Sequence, residues 1–422
     1  MKDRRAASAI RWPDIFYGWY IVAAIMVVMT VASGLGFYNL SVYLKAFVTH
    51  GGFPVSAASA ATAFFFIASG VTGLGVGALI ERYDVRWMIT AGALICSVAM
   101  FGASHVHTLW QLYGFYIFFG VGYSCCALIP GTTLVARWFA RRRSLALSIA
   151  STGLSLGGIL LTPLSARLIE RLGFAGAAPW LALIFMLGIV PIAWLAIRPS
   201  PLAYGHGPDG DPIARDERGQ PLAADGVAFA QAIRSRFFIF MTLAFIFAMM
   251  AQVGSIAHQF SLVASRTASD DVAALAVAVM ASASIVGRLA GGWALAHISS
   301  RGFVLALASL QGLTLVLYAY GEGAALLGVA ALFGCTVGNL LMMQPLMLAE
   351  AFGLRAYGRI FSFNQLFLVA GVASGPYVMG LLYQYAGNYE AAYLTMAVAS
   401  VVSIALMIAA GPVRAHIEGG HD

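Results

Sequence analysis

Long apolar stretches alternate with short polar joints along nearly the whole chain. Between Gly18 and Gly411 the pattern repeats twelve times, at roughly 18–46, 55–80, 87–105, 109–136, 144–170, 177–198, 236–264, 272–296, 302–320, 323–349, 358–385 and 389–411. Stretches of about 20 apolar residues are what a helix needs to cross the hydrocarbon of a bilayer. The pattern predicts an all-α integral membrane fold of twelve transmembrane helices. One joint is long: 199–232, rich in Pro, Gly and Asp, reads as a flexible linker ending in a short interfacial helix. It divides the chain into an N-terminal segment (1–17), a six-helix bundle (18–198), the linker region (199–235), a second six-helix bundle (236–411) and a tail (412–422). The halves also repeat each other. Gly77 and Gly292 stand 215 residues apart in matching second and eighth helices, and Pro130 and Pro345 do so in the fourth and tenth.

Composition agrees with the pattern. The 422 residues are 61% hydrophobic and 10% charged, against about 25% charged in soluble domains. A net charge of +7 might suggest nucleic acid, but the placement of the cations points elsewhere. With the N-terminus in the cytoplasm, nineteen of the 24 Lys and Arg residues fall on cytoplasmic segments; Lys45, Arg167, Arg171 and Arg266 fall outside, and Arg288 falls within a span. That asymmetry is the positive-inside signature, with both termini cytoplasmic. The first apolar run is too long for a cleaved signal and continues into a polytopic pattern. Cys96, Cys125, Cys126 and Cys335 lie inside predicted helices without metal-ligand spacing, so neither a metal nor a cofactor is expected.

Arg288 is the one charge inside VAALAVAVMASASIVGRLAGGWALA. At 1.5 Å per residue it lies about 12 Å from the nearer end of that helix. A guanidinium there is costly unless it faces a partner, water or a ligand, and intramembrane charges are by default functional candidates. The alternative is a structural arginine capping carbonyls. No span holds an Asp or Glu in the membrane interior, and no nucleophile–base pair or metal-binding motif appears, so an enzyme is not expected. Recurrent small-xxx-small pairs (Gly153/Gly157, Gly287/Gly291, Gly334/Gly338, Gly371/Gly375) suit close helix packing in lipid; the same smooth surfaces would let one half rock against the other.

Three stretches carry a family resemblance. Gly77-Ala-Leu-Ile-Glu81-Arg82-Tyr-Asp84-Val-Arg86 resembles the G-x-x-x-D-R-x-G-R joint of the major facilitator superfamily, with Glu81 for the acid; Glu81, Arg82 and Arg86 are the implied cytoplasmic gate. Trp138-Phe-Ala-Arg141-Arg142-Arg143-Ser-Leu145-Ala146, continuing to Gly153 and Gly157, is similar to the signature that opens helix five of monocarboxylate transporters, with Ser148 and Thr152 departing from it. Asp14-Ile-Phe-Tyr-Gly18-Trp19 retains part of a companion signature. The resemblance spans the chain and extends to oxalate/formate antiporters. It implies that Arg288 binds a substrate carboxylate, as a guanidinium fork suits. Where relatives place an acid one turn before it, Ser284 stands; where they place lysines in helices one and eleven, Tyr38 and Asn364 stand.

The expected activity is secondary transport of a small organic anion, best matched by a monocarboxylate, by alternating access with proton symport or anion exchange. Candidate substrate-binding residues are Arg288, His258, Tyr123, Tyr38, Asn39, Ser284, Asn339, Gln344 and Asn364. Histidine titrates near neutrality, so His258 is the candidate proton carrier, its alternative being a buried histidine bonded to a backbone carbonyl. Expected partners are the anion, a coupled proton or counter-anion and the lipid bilayer, with no nucleic acid, in a monomer of the bacterial inner membrane. The competing readings are an exporter of drugs or aromatic compounds and an anion channel.

Overall fold

The computed structural model describes residues 16–49, 51–213 and 226–412. The expected N-terminal segment up to Ile15, the middle of the linker and the tail beyond Pro412 lie outside the described residues. Among the described residues, eleven helical runs are long and apolar enough to cross a bilayer. They are Gly18–Tyr38, extended by Leu40–Thr49 (helix one), Val55–Arg82 (two), Val85–Ala103 (three), Leu109–Trp138 (four), Arg143–Leu195, Arg236–Thr267 (seven), Asp270–Ala294 (eight), Ser300–Tyr320 (nine), Ala325–Phe352 (ten), Tyr357–Ala386 (eleven) and Glu390–Ala410 (twelve). A straight helix of the 53 residues Arg143–Leu195 would be about 80 Å long, far beyond a bilayer. Gly173 breaks it with φ 68° and ψ 169°, a conformation open to glycine and to few other residues. The run is therefore helix five (143–172) and helix six (174–195), and the crossings number twelve. Several starts follow from the polar joints: Asp84, Thr108, Ser235, Ser269 and Ser299 cap helices three, four, seven, eight and nine by accepting from first-turn N–H groups.

Three joints differ from the expectation. The interval expected between helices five and six shrinks to the single residue Gly173. Helix one widens into a π-type turn over Ser33–Tyr38, where the buried Tyr43 hydroxyl donates to the Leu35 carbonyl at 2.8 Å. Helix four breaks at Ala127 (φ −93°, ψ −119°), three residues before Pro130, whose ring cannot sit in an uninterrupted helix without displacing the preceding turn.

The recurrent glycine pairs pack helices within a half rather than between halves. Gly153 and Gly157 press on Met26 and Thr30 of helix one, Gly334 and Gly338 on Met280 and Ser284 of helix eight, and Gly371 and Gly375 on Ile246 and Met250 of helix seven. The halves meet through helix two against eleven and helix five against eight. Gly77 lies on the Gly358 carbonyl and Ser362 of helix eleven, and Gly292 on Ser148 and Leu145 of helix five. The two glycines that stand 215 residues apart thus both lie where the halves meet, at the end of the molecule that carries the basic joints. There the bundle is closed.

The described parts of the linker are docked, which its composition does not announce. Tyr204 stacks on Tyr17 with centroids 5.6 Å apart and planes at 11°. Asp209 accepts the backbone N–H groups of Ala140 and Arg141 at 2.9 and 2.7 Å. The expected short helix is present as Phe229–Arg234.

Candidate functional site

The seam between helices five and eight is polar. The chain directions oppose, so positions rising along helix five meet positions falling along helix eight. Ser144 donates to the Gly292 carbonyl at 3.3 Å, and the Ser155 and Ser284 hydroxyls pair at 3.2 Å. Ser144, Ser148, Ser151 and Ser155 recur every three or four residues, placing all of them on one face of helix five. Ser148 hydrogen-bonds the sulfur of Met342 on helix ten at 2.5 Å.

Arg288 occupies the middle of this seam. Among the described residues it is the one charged side chain that is fully buried, at 1% exposure. Its Nε donates to the Gly338 carbonyl of helix ten at 2.9 Å, and its Nη1 donates to the Ser151 carbonyl of helix five. One guanidinium therefore holds an acceptor in each half. No described carboxylate acts on it; the titratable group within its electrostatic reach is the Tyr38 hydroxyl. Two further residues fix its backbone surroundings. Asn339 donates to the carbonyls of Gly287 and Cys335, both at 2.8 Å, which ties helix eight to helix ten, and Ser284 stands one turn before Arg288.

Tyr38 lies over Gly158 of helix five, couples to Arg288 in the opposite half, and is nevertheless 40% exposed. It stands at the boundary between the halves. Tyr123 packs on Gly36 and against Phe65, centroids 5.2 Å apart. Phe37 and Phe66 extend the aromatic wall, Phe37 standing 5.3 Å from Tyr38 and 6.1 Å from Phe66. Phe37 and Phe66 were not legible as wall residues in the sequence, where phenylalanines recur throughout; only their clustering beside Tyr38 distinguishes them.

Of the sequence candidates, Arg288, Ser284, Asn339, Tyr38 and Tyr123 gather around this point. The remaining four do not join them. Asn39 donates to Tyr43 and to Ser165 at 3.1 and 2.6 Å, a buried knot within the first half. Asn364 donates to Thr242 at 2.6 Å and accepts from Gln344, a knot joining helices seven, ten and eleven. His258 bonds the Pro376 carbonyl at 3.1 Å, with its ring 5.7 Å from that of Tyr389, inside the second half. That is the carbonyl-bonded alternative for His258, and it gives the proton-carrier reading no geometric support. We expect His258→Gln, which keeps a donor for Pro376, to leave the pH dependence of transport unchanged and its rate within about twofold, since one hydrogen bond is exchanged for another. Uptake measured across a pH series checks this; a flattened pH profile would restore His258 as the carrier.

At the closed end, Glu81 reaches across to helix eleven and accepts the backbone N–H of Arg359 at 3.3 Å, with Arg359, Arg137 and Arg82 adding electrostatic attraction. Arg137 also donates to the Ile80 carbonyl at 3.0 Å. Arg86 does not take part: it pairs with Asp84 at 2.6 Å and lies over Trp194 at 5.1 Å, all within the first half. Burial works against charge on Asp84, but the bonds from Arg86 hold its carboxyl below the ordinary value. Arg137 and Arg359 are the residues at this junction that the sequence did not single out. The sole hint in the chain was their position at helix ends facing the same joint.

The sequence model of the Major Facilitator Superfamily matches residues 26–265. Monocarboxylate transporter 11 of Mus musculus is 27% identical over 402 residues, covering 90% of this chain and 85% of its own. The agnestins efflux protein AgnL12 of Paecilomyces divaricatus is 25% identical over 304 residues, covering 71% and 66%. Among solved structures, the E. coli fucose:proton symporter FucP superposes with a TM-score of 0.72 at 15% identity, covering 93% of this chain and 98% of that one, a likeness of fold.

Proposed function

Because the chain belongs to the Major Facilitator Superfamily of membrane transporters, we propose that it moves a small organic anion, a monocarboxylate, by alternating access, with Arg288 binding the carboxylate. The observation that carries this reading is the guanidinium buried between the halves with carbonyl acceptors but no described carboxylate near it. A carboxylate supplies the missing countercharge and accepts two parallel N–H bonds from the fork. The Tyr38 hydroxyl beside it adds a neutral donor. With one buried cation, a monoanion leaves the loaded site neutral, whereas a dianion leaves a net negative charge in a low-dielectric cleft. The mammalian relative named for monocarboxylate transport supports the same substrate class.

With the basic joints in the cytoplasm, the contacts at Gly77 and Gly292 close the cytoplasmic end, in a carrier of the bacterial inner membrane. The cytoplasmic latch is Glu81 with Arg359 and Arg137.

A second reading, an exporter of aromatic compounds, is favoured by the wall of Phe37, Tyr38, Phe66 and Tyr123 and by the efflux relative. A thermal-shift and uptake screen separates the two. Lactate, pyruvate, formate, oxalate and benzoate are set against uncharged aryl compounds of similar size. Stabilisation by monocarboxylates supports the proposal; stabilisation by neutral aryl compounds alone supports the exporter.

A further inference from the structure

The bond from Arg288 to the Ser151 carbonyl crosses the interface that has to part when the closed end opens. Helices five and eight touch through Ser144, Ser148, Ser151 and Ser155 on one side and Ser284, Arg288 and Gly292 on the other. Separating them removes one of the two carbonyl acceptors that hold the guanidinium. The Gly338 carbonyl travels with Arg288, because helices eight and ten belong to one half, joined by Asn339. The Ser151 carbonyl does not. In the empty carrier, parting the seam leaves a buried cation with part of its fork unpaired and no countercharge, the costly condition for an ionised group in a membrane interior. A bound carboxylate removes both deficits at once, since it accepts the freed N–H groups and neutralises the charge.

We propose that the protein is a strict anion exchanger, because the Arg288–Ser151 bond holds the empty carrier closed and a bound carboxylate replaces the Ser151 carbonyl. This inference rests on the reading of Arg288 as the carboxylate site and adds the mode of transport to it. The loaded carrier reorients and the empty one does not, so each anion leaving is matched by one entering. Monocarboxylate exchange of this kind transfers no net charge. It also needs no proton carrier, consistent with the withdrawal of His258 into its own half.

The test uses the purified full chain in liposomes preloaded in turn with labelled lactate, pyruvate, formate, oxalate and benzoate. Efflux into anion-free buffer is compared with efflux into buffer holding the same unlabelled anion, with pH and membrane potential clamped. We expect external anion to accelerate efflux about tenfold or more, the weight of one hydrogen bond to a charged group. Equal efflux in both buffers overturns the exchange inference while leaving carboxylate binding intact. Absence of flux for every anion in both buffers, with folded protein, overturns the carboxylate reading itself.

Two variants separate the bond from other causes of slow return: Ser284→Asp, and Ser284→Ala as the control that removes only the Ser155–Ser284 pair across the same seam. Ser284→Asp places a carboxylate one turn from Arg288 on the same helix, where (i, i+4) side chains meet. That partner stays with Arg288 when the seam parts, so net efflux is expected to rise several-fold relative to exchange. Net efflux unchanged in folded Ser284→Asp means that the guanidinium does not set the return rate, and overturns the latch.

Discussion

Arg288→Ala is expected to lower carboxylate affinity about 100-fold or more while leaving the protein folded. Two hydrogen bonds from a charged donor are lost, each worth about 1.5–3 kcal/mol, and about 1.4 kcal/mol corresponds to a factor of ten. The stability expectation has the opposite sign from that of most buried substitutions. The Ser151 and Gly338 carbonyls lie within helices and keep their backbone partners, so the variant removes donors and strands no acceptor. It also removes a cation from the membrane interior, a burden of about 2.5–3.5 kcal/mol on insertion scales. Thermal unfolding at or above the wild-type temperature, together with loss of the ligand-induced shift, is the expected pair of results. Retained carboxylate binding in the folded variant would remove Arg288 from the site. Arg288→Lys is expected to fall between the two, because an ammonium keeps the charge but not the planar fork.

The second large effect concerns closure. Gly77→Val and Gly292→Val are each expected to hold the basic end open and reduce transport to a small fraction of wild type. A Cβ at Gly77 overlaps the Gly358 carbonyl, which is backbone and cannot rotate away, and one at Gly292 overlaps Ser148. Overpacking of this kind costs about 1–3 kcal/mol. Because each clash exists only when the halves are shut, that energy falls on one conformation and shifts the equilibrium by about 5- to 150-fold. Spin labels at the exposed positions Tyr83 and Arg355, on helix ends in opposite halves, read the change as a longer distance in both variants. A wild-type distance distribution with wild-type transport would mean that these glycines do not set closure.

The contrast among the glycines shows how far the chain could be read. Gly153, Gly157, Gly334, Gly338, Gly371 and Gly375 have the spacing of close packing, and they pack as such, within halves. Gly77 has the same spacing, with Gly73, and yet it packs on the opposite half, as Gly292 does; only their repetition at one offset marked these two. Spacing reports which residues share a helix face. It does not report which helix that face meets.

The polar residues divide similarly. Asn39, Asn364, Gln344 and His258 are as polar as Ser284 and Asn339, and each lies in an apolar helix. Rotation about the helix axis decides between a knot inside one half and a place at the cleft, and a turn of 100° per residue moves a side chain from one to the other. The latch is a like case. Arg82, Arg86, Arg137 and Arg359 all stand at helix ends, but Arg86 is claimed by Asp84 while Arg359 meets Glu81.

The twelve crossings, the duplicated halves and the lone intramembrane guanidinium were determined by the sequence alone. Apolar length and the cost of a charge in hydrocarbon are local properties, written in residue types and their order. The tertiary structure decided what Arg288 touches, which half each acceptor belongs to, and which polar residues stand near it. Its two partners are backbone carbonyls, and every residue has one, so no residue type could have announced Ser151 or Gly338. Whether such a bond binds helices of one half or straddles the interface between two depends on their packing, and the mode of transport proposed here follows from that difference.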